Sequence, residues 1–231
     1  MTPSSGLLLI DKDAGATSHD AVAAVRRTLQ VKRAGHAGTL DPMATGLLVV
    51  GLGGATRLLR FAQAGVKRYE GEALLGVATD SLDAQGAAVG RARVPDLDDA
   101  TLAAAAAGFL GDIDHTPPMV SAVKVGGRRL YEIAREGREV ERAARRVRVD
   151  SFDVSLVDTD RVRFAVTCST GTYVRVLLAE LAERLGTLGH LVALRRVASG
   201  SLRVEDAVSV ARLAQLCADG AAPVRPAGDM V

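Results

Sequence analysis

The sequence contains no tryptophan, and aromatic residues make up only 3% of its 231 positions. That scarcity excludes a broad platform for stacking single-stranded bases, so the three Tyr and four Phe must serve at particular places. Cysteine is equally sparse. Cys168 and Cys217 make neither a disulfide framework nor a metal-binding spacing. The four histidines (His19, His36, His115, His190) stand at no ligand interval from cysteines or carboxylates, so no metal site is expected. No apolar run approaches about 18 residues, and Met1-Thr-Pro-Ser-Ser-Gly lacks a basic region followed by an apolar one. Neither a membrane span nor a signal peptide is expected, and the default reading is a reduced, cytoplasmic protein.

What is present supports a substantial core, because 48% of the residues are hydrophobic. The net charge of +2 conceals an uneven distribution: from Lys124 to Arg148 nine Lys/Arg face four Glu, a local excess of +5. Such a stretch suits a polyanion, or else a solvated helix face knitted by Glu–Arg pairs. Hydrophobic periodicity and breakers place strands at 7–10, 47–52, 67–75, 120–125, 147–157, 162–168 and 191–197. Helices are expected at 56–62, 98–109, 130–136, 173–185 and 205–216, with another that follows the capping pair Thr17/Asp20 and carries Val22, Val25 and Leu29. Residues 11–15 read as a turn and 221–231 as a frayed tail. Hairpins mixed with helices argue an α+β fold with a largely antiparallel sheet. Gly51-Leu-Gly53-Gly54-Ala-Thr56 half-matches a dinucleotide fingerprint, but Thr56 stands where the third glycine belongs, and a tight strand-to-helix turn is the better reading.

The most informative stretch runs Gly35-His36-Ala-Gly38-Thr-Leu-Asp41-Pro42-Met-Ala-Thr-Gly46-Leu-Leu48. It holds one carboxylate among small, apolar and uncharged groups. Pro42 pushes Asp41 away from helical dihedrals. Taken singly, Asp-Pro is an ordinary turn starter. An acid fixed on a loop just before an apolar run also suits a nucleophile or general base.

The whole string resembles the catalytic motif of the bacterial tRNA pseudouridine-55 synthases, the TruB family. Lys67-Arg-Tyr69-Glu with Leu75 to Gly86 resembles the family's second motif, and Cys168-Ser-Thr-Gly-Thr-Tyr173-Val-Arg175 its third. Leu191-Val-Ala-Leu194-Arg-Arg and the segment from Thr116 to Tyr131 match further parts, so the likeness extends from Leu7 to about Val197. The resemblance implies a pseudouridine synthase fold: a mixed, largely antiparallel sheet flanked by helices around a central RNA-binding cleft. It implies isomerisation of uridine 55 in the T-arm of tRNA by base flipping, without a cofactor. Asp41 would be the nucleophile, acting at C1′ or by taking the C2′ proton. Tyr69 would stack on the base and pass protons, and Arg175 would pair with Asp41. At about 3 Å and an effective dielectric near 20 such a pair attracts by roughly 5 kcal/mol before desolvation. His36, Tyr69, Tyr173 and Leu194 would contact the substrate, and Lys12, Lys124, Arg128 and Arg129 the RNA backbone. Residues 1–220 would form the catalytic domain, with an RNA-gripping segment at about 117–148, the tail at 221–231 and no C-terminal PUA domain. The partner would be the tRNA T stem-loop, with no guide RNA, bound by a monomer. The alternative is a non-catalytic tRNA-folding chaperone; a nucleoside hydrolase using Asp41 is a third reading. Asp13 stands where the family usually has Pro, and Val120 where it usually has an aromatic residue.

Overall fold

The computed structural model describes residues 5–230; the first four residues and the last residue of the expected tail lie outside them. Thirteen strands and six helices follow one another among the described residues: β1 (Gly6–Lys12), α1 (Ser18–Leu29), β2 (Ala34–His36), β3 (Thr45–Leu52), α2 (Leu59–Ala64), β4 (Lys67–Leu75), β5 (Val77–Thr79), β6 (Ala88–Arg91), α3 (Asp99–Ala107), β7 (Gly111–His115), β8 (Lys124–Val125), β9 (Arg128–Arg129), α4 (Leu130–Arg135), β10 (Arg145–Asp158), β11 (Arg161–Cys168), α5 (Val174–Arg184), β12 (Gly189–Ser199), β13 (Leu202–Arg203) and α6 (Val210–Ala218). None of the described helices is long and apolar enough to cross a membrane. The chain divides into two compact units, one of residues 1–70 with 194–231 and one of residues 71–193.

In the first unit β1 and β3 pair antiparallel over seven residues, Gly6 opposite Leu52 through Lys12 opposite Gly46. β2 joins the end of β3. β12 runs parallel to β3, with Arg195 opposite Thr45 and Arg196 opposite Gly46. Both faces of this small sheet are covered. Leu7, Leu9, Leu47 and Val49 pack with Ala55, Leu59, Leu202 and Val204 on one side. Leu8, Ile10, Leu48, Val50 and Leu52 pack with Val22, Val25, Leu29 and Leu213 on the other. Burial on two faces explains why these strands read as unbroken apolar runs instead of alternating. α1 begins as its sequence requires: the Thr17 hydroxyl accepts from the Asp20 N–H while the Asp20 carboxylate accepts from the Thr17 N–H.

Three details differ from expectation. β1 continues through Asp11 and Lys12, where a turn is expected, because the pairing with β3 extends to Gly46. The helix at 56–62 divides into a 3-10 turn at Gly53–Arg57 followed by α2. After α6 the chain does not fray at once: Leu7 and Arg225 exchange backbone hydrogen bonds of 2.8 Å, and Arg225 meets Asp206 at 3.4 Å.

In the second unit β11, β10 and β7 form an antiparallel sheet with β4 beside β11. β10 buries Val147 and Val149, then Phe152 and Val154. The change from odd to even positions coincides with an irregularity in pairing between Val149 and Ser151, since one extra residue turns every later side chain to the opposite face. Phe152 meets Phe109 and Phe164 edge-to-face at 5.8 and 6.4 Å. The alanine-rich α3 contributes Leu102 and Ala106 to the buried set. The strand expected at 120–125 shrinks to the two-residue β8, paired with β9 through the Gly126-Gly127 turn. The short strands β2, β5, β6, β7 and β13 escape sequence reading because each has too few residues to show alternation.

Candidate active site

In the first unit Asp41 lies on the loop that leaves β2 after His36 and re-enters the sheet at Thr45. Main-chain groups along this loop are fastened at several points. The Ala37 N–H donates to the Val49 carbonyl at 2.9 Å, and the Ala44 N–H to the Asp41 carbonyl at 3.0 Å. Ser18, buried at the start of α1, accepts the Leu40 N–H at 2.8 Å and donates to the Leu40 carbonyl at 3.1 Å. The Pro42 carbonyl takes the Gly15 N–H at 2.8 Å and the Lys12 ammonium at 3.3 Å.

Two buried cations complete the arrangement. Lys12 is 1% exposed, and its ammonium also donates to the Asp13 and Ala16 carbonyls at 2.9 and 2.7 Å. Burial lowers its pKa, against the opposing pull of Asp13 and Asp41. The Arg196 guanidinium, equally buried, donates to the Leu47 carbonyl at 2.7 Å and the Gly38 carbonyl at 3.2 Å, so it links the two ends of the loop. Gly46 must be glycine: its φ is +97°, and a Cβ there would lie 2.3 Å from the Arg196 carbonyl oxygen.

His36 is half-buried and meets His19 edge-to-face at 5.4 Å. Burial, followed by the nearby His19 and Arg196, pushes its pKa below the ordinary value and favours the neutral ring. Tyr69 is half-buried on β4. Leu194 is buried on β12, and its carbonyl accepts from the Thr45 hydroxyl at 3.4 Å.

In the second unit Arg175, in the first turn of α5, has a side chain only 3% exposed. It donates to the Ser81 carbonyl at 2.6 Å and the Val120 carbonyl at 2.9 Å, and lies 3.5 Å from the buried Asp83 carboxylate. Asp83 in turn accepts from the Ser81 hydroxyl at 2.6 Å and the Gln85 N–H at 3.0 Å. Between them Leu82 adopts a left-handed φ of 63°, strained for a branched side chain. Hydrogen bonds from the Leu82 N–H to Thr79 and from the Leu191 N–H to the Leu82 carbonyl hold it there. Tyr173 precedes α5. Its N–H donates to His115 at 2.9 Å, and its ring lies 4.9 Å from the Arg145 guanidinium carbon.

The description TruB family pseudouridylate synthase (N-terminal domain) fits residues 26–174. The chain is 47% identical over 205 residues to the tRNA pseudouridine synthase B of Opitutus terrae, covering 89% of this chain and 85% of that one. It is 48% identical over 227 residues to the enzyme of the same name from Geobacillus kaustophilus, covering 94% and 79%. The chain belongs to the TruB family of pseudouridylate synthases. Among solved structures, the one titled as a Cbf5-Nop10-Gar1 complex matches 99% of this TruB-family chain with a TM-score of 0.78 and 27% identity. The chain spans 62% of that protein. The fold is therefore the α+β pseudouridine synthase fold, with a mostly antiparallel sheet.

Of the residues that the TruB motifs single out, Asp41, His36, Tyr69 and Leu194 fall in the first unit, Arg175 and Tyr173 in the second. Lys12, expected on the RNA backbone, is instead sealed from solvent, and its ammonium donates to three carbonyls. Several cations of the basic stretch are engaged by acids inside it or on neighbouring strands. Arg128 pairs with Glu136 at 2.5 Å, Arg142 with Glu139 at 2.9 Å, Arg146 with Asp114 at 3.3 Å and Arg148 with Asp150 at 2.8 Å. Glu136 holds the Arg128 pKa above its usual value, and Arg128 lowers that of Glu136. Arg129 donates to the Tyr131 hydroxyl at 3.0 Å, and Lys124 is exposed.

By contrast Arg26, Arg27, Lys32, Arg33, Arg57 and Arg60 are exposed and form no ion pair among the described residues. Main-chain hydrogen bonds from Val31 to Arg26 and from Gly53 to Arg33 bring the end of α1 beside the 3-10 turn that carries Arg57. Sequence reading missed Ser18, Asp83 and Arg196 as supports of the motifs. The cue for Asp83 was its place in a polar turn, Asp80-Ser-Leu-Asp83, within a matched motif.

Proposed function

We propose that the protein isomerises uridine 55 in the T-arm of tRNA to pseudouridine, with Asp41 as nucleophile. The observation that carries the reading is the fastened Asp41 loop, in which buried Lys12, Ser18 and Arg196 hold the backbone on both sides of a single carboxylate. Membership of the family supports it, as do the relatives named tRNA pseudouridine synthase B.

In this reading the base leaves its stack at a cost of a few kcal/mol. Contacts with Tyr69, His36, Tyr173 and Leu194 offset this, stacking contributing about 1–3 kcal/mol per base. Asp41 opens the N1–C1′ bond, by attack at C1′ or by taking the C2′ proton. The uracil turns, C5 bonds to C1′, the C5 proton departs and N1 gains one, so no electron is exchanged. The Tyr69 hydroxyl passes that proton, and Arg175 is the guanidinium that the family pattern assigns to the Asp41 charge. Lys124 and Arg129 meet phosphates, and Arg128 does so only by leaving Glu136. The enzyme works as a monomer in the cytoplasm without a guide RNA or cofactor, residues 1–220 forming its catalytic domain.

Tritium release from C5-labelled uridine in a T-arm stem-loop tests the reading. Wild type releases tritium and retains the base as pseudouridine. Asp41→Asn abolishes release while stem-loop affinity changes by less than about fivefold, because it removes charge with little change in shape. Wild-type turnover by Asp41→Asn would withdraw Asp41 as nucleophile, and free uracil would point to hydrolysis.

A further inference from the structure

We infer that His115 is a positioning residue for Tyr173: its Nε2 accepts the Tyr173 main-chain N–H while its ring lies along the phenol ring, fixing where the hydroxyl points. This deepens the proposed function, since it rests on Tyr173 meeting the substrate.

His115 ends β7 and is fully buried. Its ring is nearly parallel to that of Tyr173, with 14° between planes and 6.2 Å between centroids. The hydrogen bond fixes the tautomer. A main-chain N–H can only donate, so Nε2 carries a lone pair and Nδ1 the proton of the neutral ring. The bond answers a local need as well. Tyr173 is the N-cap of α5, and its side chain makes no capping hydrogen bond. Helix starts leave backbone N–H groups without intrahelical acceptors, and at this one the imidazole takes the N–H of the cap residue itself.

Arg145 secures the other approach. Its guanidinium donates to the Gly171 carbonyl, fixing the turn just before Tyr173, and lies against the same phenol ring. Gly171 has a φ of +89°, so this turn depends on glycine and on what holds it. Arg145 also bears on the charge of the imidazole. Burial, and then this guanidinium, push the His115 pKa down to about 4, so the ring stays a neutral acceptor throughout the neutral range. The sequence shows His115 only as one of four histidines without a metal spacing.

Three variants of the full chain separate acceptor from bulk. His115→Gln keeps an acceptor, His115→Phe keeps a flat ring without one, and His115→Ala keeps neither. Single-turnover tritium release should fall by about 10- to 100-fold in the Phe and Ala variants, with stem-loop affinity within about threefold of wild type. The Gln variant should return to within about threefold of wild type. Hydrogen exchange of the Tyr173 amide gives a readout independent of activity: slow in wild type and His115→Gln, fast in His115→Phe. If the Ala variant fails to fold, the Gln–Phe comparison decides. A Phe variant as active as wild type, a Gln variant as slow as Phe, or fast exchange in wild type overturns the assignment. No tritium release from wild type with a protected Tyr173 amide counts against the uridine reading and for the seat.

Discussion

Arg175 and Asp83 are both nearly sealed from solvent, so each stabilises the other only while both are charged. Arg175→Met should lower unfolding stability by about 3–5 kcal/mol, because it leaves the Asp83 carboxylate buried without that cation. Arg175→Met/Asp83→Asn should recover part of that loss in a denaturant cycle. Additive losses would mean the two side chains are not coupled. His115 makes a pH-dependent case. Its folded pKa lies below the value in an unfolded chain, so only the unfolded state takes up a proton as pH falls. Its contribution to stability is therefore full above about pH 6.5 and is lost progressively down to about pH 4. The stability of wild type relative to His115→Gln should fall by on the order of 2 kcal/mol between pH 7 and pH 4.5. A constant difference across that range would show that the imidazole is not held neutral. At this scale the sequence is least legible. Asp41 is conspicuous in its own string, whereas Lys12, Asp83 and Arg196 look like ordinary surface charges until distant segments of chain cover them.

At the scale of elements, local rules served where the partners are local. The Thr17/Asp20 box starts α1 as expected, and the two-faced apolar strands 7–10 and 47–52 form. The 3-10 turn before α2 and the shortened β8 were not legible, since tertiary contacts decide where so short a piece stops. The basic stretch has a similar lesson: composition gives its excess charge but not which acids fold against it. Arg26, Arg27, Lys32 and Arg33, at the end of α1 and in the turn that follows, are without ion pairs among the described residues, whereas Arg128 is engaged by Glu136. Each of Arg26→Ala, Arg27→Ala, Lys32→Ala and Arg33→Ala should therefore weaken tRNA binding more than Arg128→Ala. A cation that meets a phosphate should reduce the slope of log affinity against log salt by about 0.7–0.9 when removed. Filter-binding titrations between 50 and 200 mM salt would show it, and an unchanged slope in all four would remove this surface from the RNA contact.

For the whole molecule, the notable feature is that the unit carrying Asp41 is assembled from two distant stretches of chain. Leu202 and Val204 fill one face of its sheet and Leu213 the other, so the residues before Glu70 cannot close either core alone. A chain ending at Ala193 should lack a cooperative thermal transition for this unit and expose the region around Leu47–Leu52 to chymotrypsin. A protease-resistant fragment of that region would refute the dependence. Because Arg196 links Gly38 to Leu47, the order of synthesis also matters. The loop is made early, yet its clasp follows about 150 residues later, roughly 8–30 s at ordinary bacterial translation speeds. Until then a nascent chain carries Asp41 on an unset loop, and the loop takes its final form only once Arg196 has left the ribosome.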